Sequence, residues 1–438
     1  MLETITIQNF KSYKKASLPL APLTLLIGAN ASGKSNAIEA IRLMSWLAKG
    51  SRLDEIEKDV QKENAIVRGR SLDLFRFGAD QLTLGGHLSG APDSWNDFEI
   101  TIGRPFGELA LTGEKVTKLF EALPLYEIKT EPTQHSDEIR VMYNNFKKGG
   151  HKPQIPCSSR QAIFYQLETP SRFGKEHSKS QKVIPAVTKA LRQDLRSILF
   201  LDPRPSQMRG WAFPSERDMS EDGNNVSAVL YDLVVKKGRK QAVLDFIQSL
   251  PEQDITDIKF IDTPRSEVMV QLEETFGSKS ENLDAGLLSD GTLRVLAIAA
   301  ALLSAPSGTL VIIEEVDNGV HPSRAKTLIE QVEAVAKKRN LRVLLSTHNP
   351  ALLNAVPVSA LGDVVCCYRD PDVGDSKLVK LGDLDRYPEL VAQGPLGDLV
   401  TKQILDRFLK DKRSPEDVKQ SSLDWLENYT DSVKEAEK

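Results

Sequence analysis

One stretch constrains the fold of this chain more than any other. Gly28-Ala-Asn-Ala-Ser-Gly-Lys-Ser35 fits the phosphate-loop pattern G-x-x-x-x-G-K-[ST]. The run before it, Pro22–Ile27, is apolar and of strand length. From Gly33 to about Lys49, residues Ile38, Ile41, Leu43, Met44 and Leu47 recur on one helical face. Strand, loop and helix in that order imply an α/β fold, with the loop's N–H groups and the helix N-terminus forming a nest for phosphate oxygens. Gly28, Asn30, Ser32 and Gly33 are expected to shape the cradle. Lys34 is expected to reach the β- and γ-phosphates, and Ser35 to hold Mg²⁺.

Two more stretches carry chemistry. The apolar run Leu310–Ile313 ends in Glu314 and Glu315, and two adjacent acids at the end of a buried strand are costly without a function. The first suits Mg²⁺ coordination and the second can polarise an attacking water. The strand Leu341–Leu345 runs into Ser346-Thr-His-Asn-Pro350, which places His348 at a strand end. Leu288-Ser289-Asp290-Gly291-Thr292 lies about two dozen residues ahead of the acidic pair.

Composition narrows the classes. The 438 residues are 40% hydrophobic, enough for a large core, and carry a formal net charge of −4. Nucleic-acid contact must therefore come from local basic patches. Three cysteines, Cys157, Cys366 and Cys367, show no metal spacing and suit a reducing compartment. There is no leader-like start and no apolar run long enough to span a bilayer, so a cytoplasmic protein without a membrane partner is expected.

Patterning divides the chain into five regions: 1–50, 51–182, 183–282, 283–395 and 396–438. The first and fourth carry the motifs. The second is read as a strand-rich inserted subdomain, with strand-like runs at Asp80–Leu88, Phe98–Gly103, Ile139–Tyr143 and Ala162–Leu167. It also holds two basic loops, Phe146–Lys152 and Ser171–Lys182. The third region mixes helices (Ile184–Arg196, Val226–Val235, Gln241–Leu250) with strands (Ile198–Leu201, Ile255–Asp262, Glu267–Glu273). The last is a charged, helical tail with an apolar cluster at Leu423, Trp425, Leu426 and Tyr429. No sustained heptads mark a long coiled coil.

The order of these motifs resembles the ABC-type ATPase heads of the SMC/RecF/OLD group. The resemblance rests on Ile5–Tyr13, Gly28–Asn36, Leu288–Arg294, Ile313–Pro322 and Ser346–Asn349, and is nearest to stand-alone OLD-like ATPases of bacterial anti-phage systems. It implies a P-loop NTPase head with a mostly parallel sheet, an antiparallel β lobe and, here, a strand-rich insertion. It implies that Ser289 and Gly291 contact the γ-phosphate of ATP held by another protomer, that Lys11 approaches the phosphates and that Asn36 shapes the loop. His348 is expected to sense the γ-phosphate, with Glu315, His348 and Lys34 catalytic and Ser35 and Glu314 on the metal.

The expected activity is slow ATP hydrolysis by a homodimer or higher oligomer closed around ATP. The output is expected in a separately encoded nuclease or toxin effector, with nucleic acid left open as a partner. Two other readings stand beside it: a RecF-like repair ATPase acting on DNA directly, and an ATP-locked scaffold that holds a toxic partner inactive. Asp370-Pro-Asp372 reads as a turn, so no nuclease centre of the chain's own is expected.

The chain departs from the group's pattern in places. Ala31 stands where glycine is usual and is expected to stiffen the loop. Asp290 replaces a common glycine, Glu314 the usual aspartate and Val316 a common proline, and His321 falls at a D-loop aspartate position. The sequence does not place the Q-loop glutamine; Gln161 and Gln166 are the candidates.

Overall fold

The computed structural model describes residues 1–56, 66–248, 254–276, 279–316, 322–411, 417 and 420. His321 and the apolar tail cluster Leu423, Trp425, Leu426 and Tyr429 lie outside them. The strands are β1 (Leu2–Phe10), β2 (Tyr13–Pro19), β3 (Leu23–Ile27), β4 (Gln81–Leu88), β5 (Asp97–Gly103), β6 (Ala110–Thr117), β7 (Tyr126–Ile128), β8 (Glu138–Tyr143), β9 (Gln154–Ser158), β10 (Leu199–Leu201), β11 (Ile255–Asp262), β12 (Val268–Phe276), β13 (Lys279–Asp284), β14 (Leu310–Ile313), β15 (Arg342–Ser346), β16 (Val365–Arg369) and β17 (Ser376–Lys380). The helices that matter here are α1 (Lys34–Ala48), α2 (Ile163–Gln166), α3 (Ser178–Arg196), α4 (Pro205–Met208), α5 (Val226–Tyr231), α6 (Lys240–Gln248), α7 (Asp290–Ser304) and α8 (Pro322–Arg339).

A six-stranded sheet in the order β10-β14-β15-β3-β16-β17 forms the centre. It is parallel except for the edge pair β16–β17. Its strands are short and apolar because both faces are covered. Alternation along each strand sends Leu26, Leu310, Ile312 and Leu344 to one face. Leu25, Ile27, Val311, Ile313, Val343 and Leu345 go to the other. The two adjacent cysteines split in the same way, Cys367 to the first core and Cys366 to the second. The first core lies against α1, α3 and the eight-stranded sheet, and the second against α5, α6, α7 and α8.

The eight-stranded sheet is antiparallel, in the order β2-β1-β4-β5-β6-β7-β8-β9. Strand β4 pairs directly with β1, Leu2 opposite Leu88 and Ile7 opposite Leu84. Strands β4 to β9, the strand-rich part of 51–182, thus continue the N-terminal sheet and share its core. Ala162–Leu167, read as a strand, contains helix α2 instead. The buried Glu114 carboxylate on β6 accepts hydrogen bonds from the Ile163 N–H at 2.6 Å and the Phe164 N–H at 2.7 Å. Those two N–H groups are at the start of a helix, where no intrahelical acceptor exists. A third sheet, β11-β12-β13, is antiparallel and precedes α7. Among the described residues no helix is long and apolar enough to cross a membrane.

Candidate functional site

The carboxyl ends of β3, β14 and β15 meet at one edge of the central sheet. In an open parallel sheet this is where ligands bind. The loop after β3 turns into α1 through two glycines in the left-handed region, Gly28 (φ 147°) and Gly33 (φ 123°). A Cβ at Gly28 would come within 2.1 Å of the Cys367 carbonyl oxygen, and one at Gly33 within 2.4 Å of the Ser376 hydroxyl. Both positions demand glycine on conformation and on space. The buried Tyr13 hydroxyl donates to the Gly33 carbonyl at 3.0 Å, and the Asn36 amide donates to the Ser12 hydroxyl at 2.8 Å. The loop is thereby tied to the β1–β2 hairpin.

Ala31 is the strained member of the loop. Its φ is +61°, a conformation that suits glycine. Arg369, at the end of β16, donates to the Ala31 carbonyl at 3.2 Å.

Lys11, Asn30, Ser32, Gly33, Lys34, Ser35, Asn36, Glu314, Glu315 and His348 line one cavity of about 500 Å³. Gly28 lies just beneath, its carbonyl accepting from Lys34 Nζ at 2.5 Å. The same ammonium reaches the Ala29 carbonyl at 3.1 Å. Burial lowers the Lys34 pKa from the ordinary lysine value, against the opposing charges of Cys367 and Glu315. An anion in the cavity would relieve that cost, because it would favour the charged form. Lys11 is engaged on one side by the buried Glu39 carboxylate and donates to the Arg68 carbonyl at 2.8 Å.

Glu314 and Glu315 leave β14 in different directions. The Glu314 N–H donates to the Leu201 carbonyl at 2.9 Å, which seats it beside β10. Its carboxylate accepts from Arg42 of α1 at 3.2 Å. Burial raises the Glu314 pKa, Arg42 pulls it back down, and Asp202 and Glu221 push it up. Glu315 adopts φ +47°, and its N–H donates to the Ser346 hydroxyl at 3.1 Å. An L-residue in that region is strained and is held there by its surroundings. His348 is exposed to the cavity, two residues beyond Ser346 at the end of β15. The neighbouring Asn349 caps the following helix by accepting from the Ala351 N–H at 2.9 Å.

The donors suit a hard cation and a polyphosphate. A hydroxyl and a carboxylate, Ser35 and Glu314, line both this cavity and an adjoining one of about 460 Å³. Oxygen donors of this kind are what Mg²⁺ takes beside substrate phosphates.

Ser289 and Gly291 line neither cavity. Ser289 caps α7, its hydroxyl accepting from the Thr292 N–H at 3.1 Å. Gln161 donates to the Gly50 carbonyl at 2.6 Å, and Gln166 bonds the Ser158 backbone, so neither Q-loop candidate reaches the cavity. What stands at the end of β10, next to β14, is Asp202. Burial raises its pKa; Arg204 opposes, while Glu315 and Glu221 add to the rise. Sequence reasoning also missed Arg42, Arg68 and Arg369, which carry no motif signal, and gave Ser346 no role of its own. Asp370-Pro-Asp372 forms the β16–β17 turn, with the Asp372 N–H donating to the Asp370 carboxylate at 3.0 Å.

Comparison with known proteins meets this geometry from both ends of the chain. Residues 1–74 match the model of an AAA ATPase domain. Residues 140–354 match an AAA domain described as a putative AbiEii toxin of a type IV toxin–antitoxin system. The Old nuclease of Escherichia phage P2 is 24% identical over 371 residues, 81% of this chain and 57% of that protein. The DNA replication and repair protein RecF of Leptospira interrogans is 37% identical over 148 residues, 33% of this chain and 39% of that protein. These matches fit the SMC/RecF/OLD group of ABC-type ATPases. Its matches span less than two thirds of the length of those curated relatives. Among solved structures, the SMC head bound to the C-winged helix domain of ScpA aligns over 86% of this chain and 96% of that one, with 15% identity and a TM-score of 0.47.

Proposed function

We propose that two copies of this ATPase close head to head around ATP, hydrolyse it slowly and so control a separate effector, a nuclease or toxin, in anti-phage defence. One observation carries the reading. The cavity collects the phosphate loop, the acidic pair and His348, while Ser289 and Gly291 stay outside it. An element that recognises the γ-phosphate from there does so on another copy's nucleotide. ATP then favours the closed state because it touches both chains only in that state.

Within each site, Lys34 and the loop N–H groups would bind the phosphates, and Ser35 and Glu314 would hold Mg²⁺. A bound Mg²⁺ would neutralise charge on the β- and γ-oxygens. Glu315 accepts a proton from the attacking water, and His348 donates to the γ-phosphate. The toxin–antitoxin description of the matching family model and the likeness to a phage Old nuclease support the defence setting. The test is Mg²⁺-dependent ATP hydrolysis together with light scattering of Glu315→Gln. ATP should double the mass of that variant, and an unchanged mass with nucleotide bound overturns the reading.

A second reading, direct action on DNA, is favoured by one feature. The two basic loops meet on one face: Lys179 Nζ sits 4.5 Å from the Phe146 ring centroid, and Ser180 donates to the Asn144 carbonyl at 2.9 Å. Lys147, Lys148, Lys175, Lys179 and Lys182 are exposed along these two segments. ATP-dependent duplex binding whose salt slope falls in a Lys147→Glu/Lys148→Glu/Lys179→Glu chain would carry it. Binding that ignores those substitutions would end it.

A further inference from the structure

The signature loop is held by a residue that carries no motif. Arg209 follows α4, in the connection that runs from β10 to α5. Its guanidinium donates to the Gly286 carbonyl at 2.9 Å and the Leu288 carbonyl at 2.7 Å. It also donates to the Asp290 carboxylate at 2.6 Å. A planar, permanently charged fork can satisfy carbonyls and a carboxylate at once, which an ammonium cannot do with the same geometry.

The Asp290 carboxylate makes this contact consequential. It lies between Ser289 and Gly291, in the first turn of α7. A negative charge there suits the helix N-terminus in the isolated chain. It opposes the approach of a triphosphate, since like charges repel strongly where water is squeezed out. Arg209 offsets that charge in place and fixes the backbone of the loop that carries it.

The other end of the same connection sits on the nucleotide side. The Asp202 N–H donates to the Glu221 carbonyl at 2.8 Å, and the Arg204 N–H donates to the Asp222 carbonyl at 2.9 Å. Arg42 of α1 joins Glu221 to Glu314 through its guanidinium. One connection therefore contacts the acidic end of β14 at one point and the signature loop at another.

We propose that Arg209 is a positioning residue for phosphate recognition in trans: it fixes Leu288–Gly291 and neutralises Asp290, so that Ser289 and Gly291 can close on nucleotide bound by a second copy. The inference rests on the head-to-head dimer proposed above. The test uses the full chain in the Glu315→Gln background, with ATP and Mg²⁺, and measures association by light scattering against protein concentration. Arg209→Ala should raise the concentration for half-association at least tenfold, and Arg209→Lys less. Adding Asp290→Asn to Arg209→Ala should recover most of the loss, a rescue that a purely structural role does not give. Affinity for a fluorescent ATP analogue, measured below the association range, should stay unchanged in each variant. Should Arg209→Ala fail to fold, Arg209→Lys against Arg209→Lys/Asp290→Asn reads the same rescue. If Glu315→Gln itself stays monomeric, the dimer reading fails and this inference falls with it. If that parent dimerises and Arg209→Ala dimerises equally well, or the Asp290→Asn rescue is absent, this inference alone is overturned.

Discussion

The Ser346 hydroxyl accepts a hydrogen bond from the Glu315 N–H at 3.1 Å and holds that glutamate at φ +47°. Ser346 ends β15 and Glu315 follows β14, so the bond crosses between neighbouring strands and fixes Glu315, the proposed general base, in the cavity that His348 also lines. One such bond contributes about 1 kcal/mol, which corresponds to roughly five- to tenfold in rate if it is needed only to aim the carboxylate. Ser346→Ala should lower kcat for ATP by that factor and leave KM unchanged. Steady-state kinetics check this; a rise in KM at constant kcat contradicts it.

The raised pKa of Glu314 sets a pH limit. Burial favours the protonated acid, and Arg42 favours the carboxylate. A protonated Glu314 is a poor Mg²⁺ ligand, so activity should fall as pH falls through its pKa. Removing Arg42 takes away the stronger of the two guanidinium charges, Arg42 and Arg68, that lower that pKa. The acid limb of the pH–rate profile should therefore move to higher pH in Arg42→Met. The alkaline limb should stay in place, and Mg²⁺ titrations at each pH would separate metal loss from nucleotide loss.

Ala31 offers a change that improves the loop. A non-glycine residue at φ +61° costs about 1 kcal/mol relative to glycine once glycine's extra chain entropy is counted. Ala31→Gly should raise the thermal midpoint of the nucleotide-free chain. The sequence alone suggests a stiffer loop at this position; the backbone angle adds that the stiffness is strain. A lower midpoint would contradict this account of Ala31, since glycine keeps the carbonyl that Arg369 bonds.

Most of the candidate site's layout was legible because each residue sits a fixed number of positions from a strand end. Ser35, Glu314, Glu315 and His348 follow the apolar runs of β3, β14 and β15, and a parallel sheet brings such ends together. What was not legible depends on distant partners. The pairing of β4 with β1 joins Leu2 to Leu88, and no local pattern announces it. Helix α2 looks like a strand until Glu114, about fifty positions earlier, supplies acceptors for its first N–H groups. Strand β13 is polar except for Leu283 and forms because β12 offers a ladder. Arg209 contacts backbone carbonyls, and carbonyls have no sequence signature.

Glu114 itself makes stability depend on pH. Burial raises its pKa to about 7, although Ile163, Phe164 and Tyr126 all donate to it. In the unfolded chain the group loses its proton near the ordinary glutamate value. Between those two values the folded state binds more protons, so stability should decline as pH rises from about 4.5 through about 7. The decline attributable to this group is about 3 kcal/mol at most, from the size of the shift. Denaturant midpoints of the parent and Glu114→Gln across that range check it. The slope should flatten in the variant, and identical slopes would remove Glu114 as the cause.

The central claim is that each ATP is completed by two chains, and complementation measures that most directly. Lys34→Ala disables the phosphate loop and Ser289→Arg disables the signature element, so each homodimer should be inactive. A mixed dimer keeps one intact composite site, made from the phosphate loop of one copy and the signature element of the other. An equimolar mixture should therefore recover about one quarter of the parental ATPase rate, because half the dimers are mixed and each holds one of two sites. A mixture as inactive as its components would place Lys34 and Ser289 in service of the same chain's nucleotide and contradict the account.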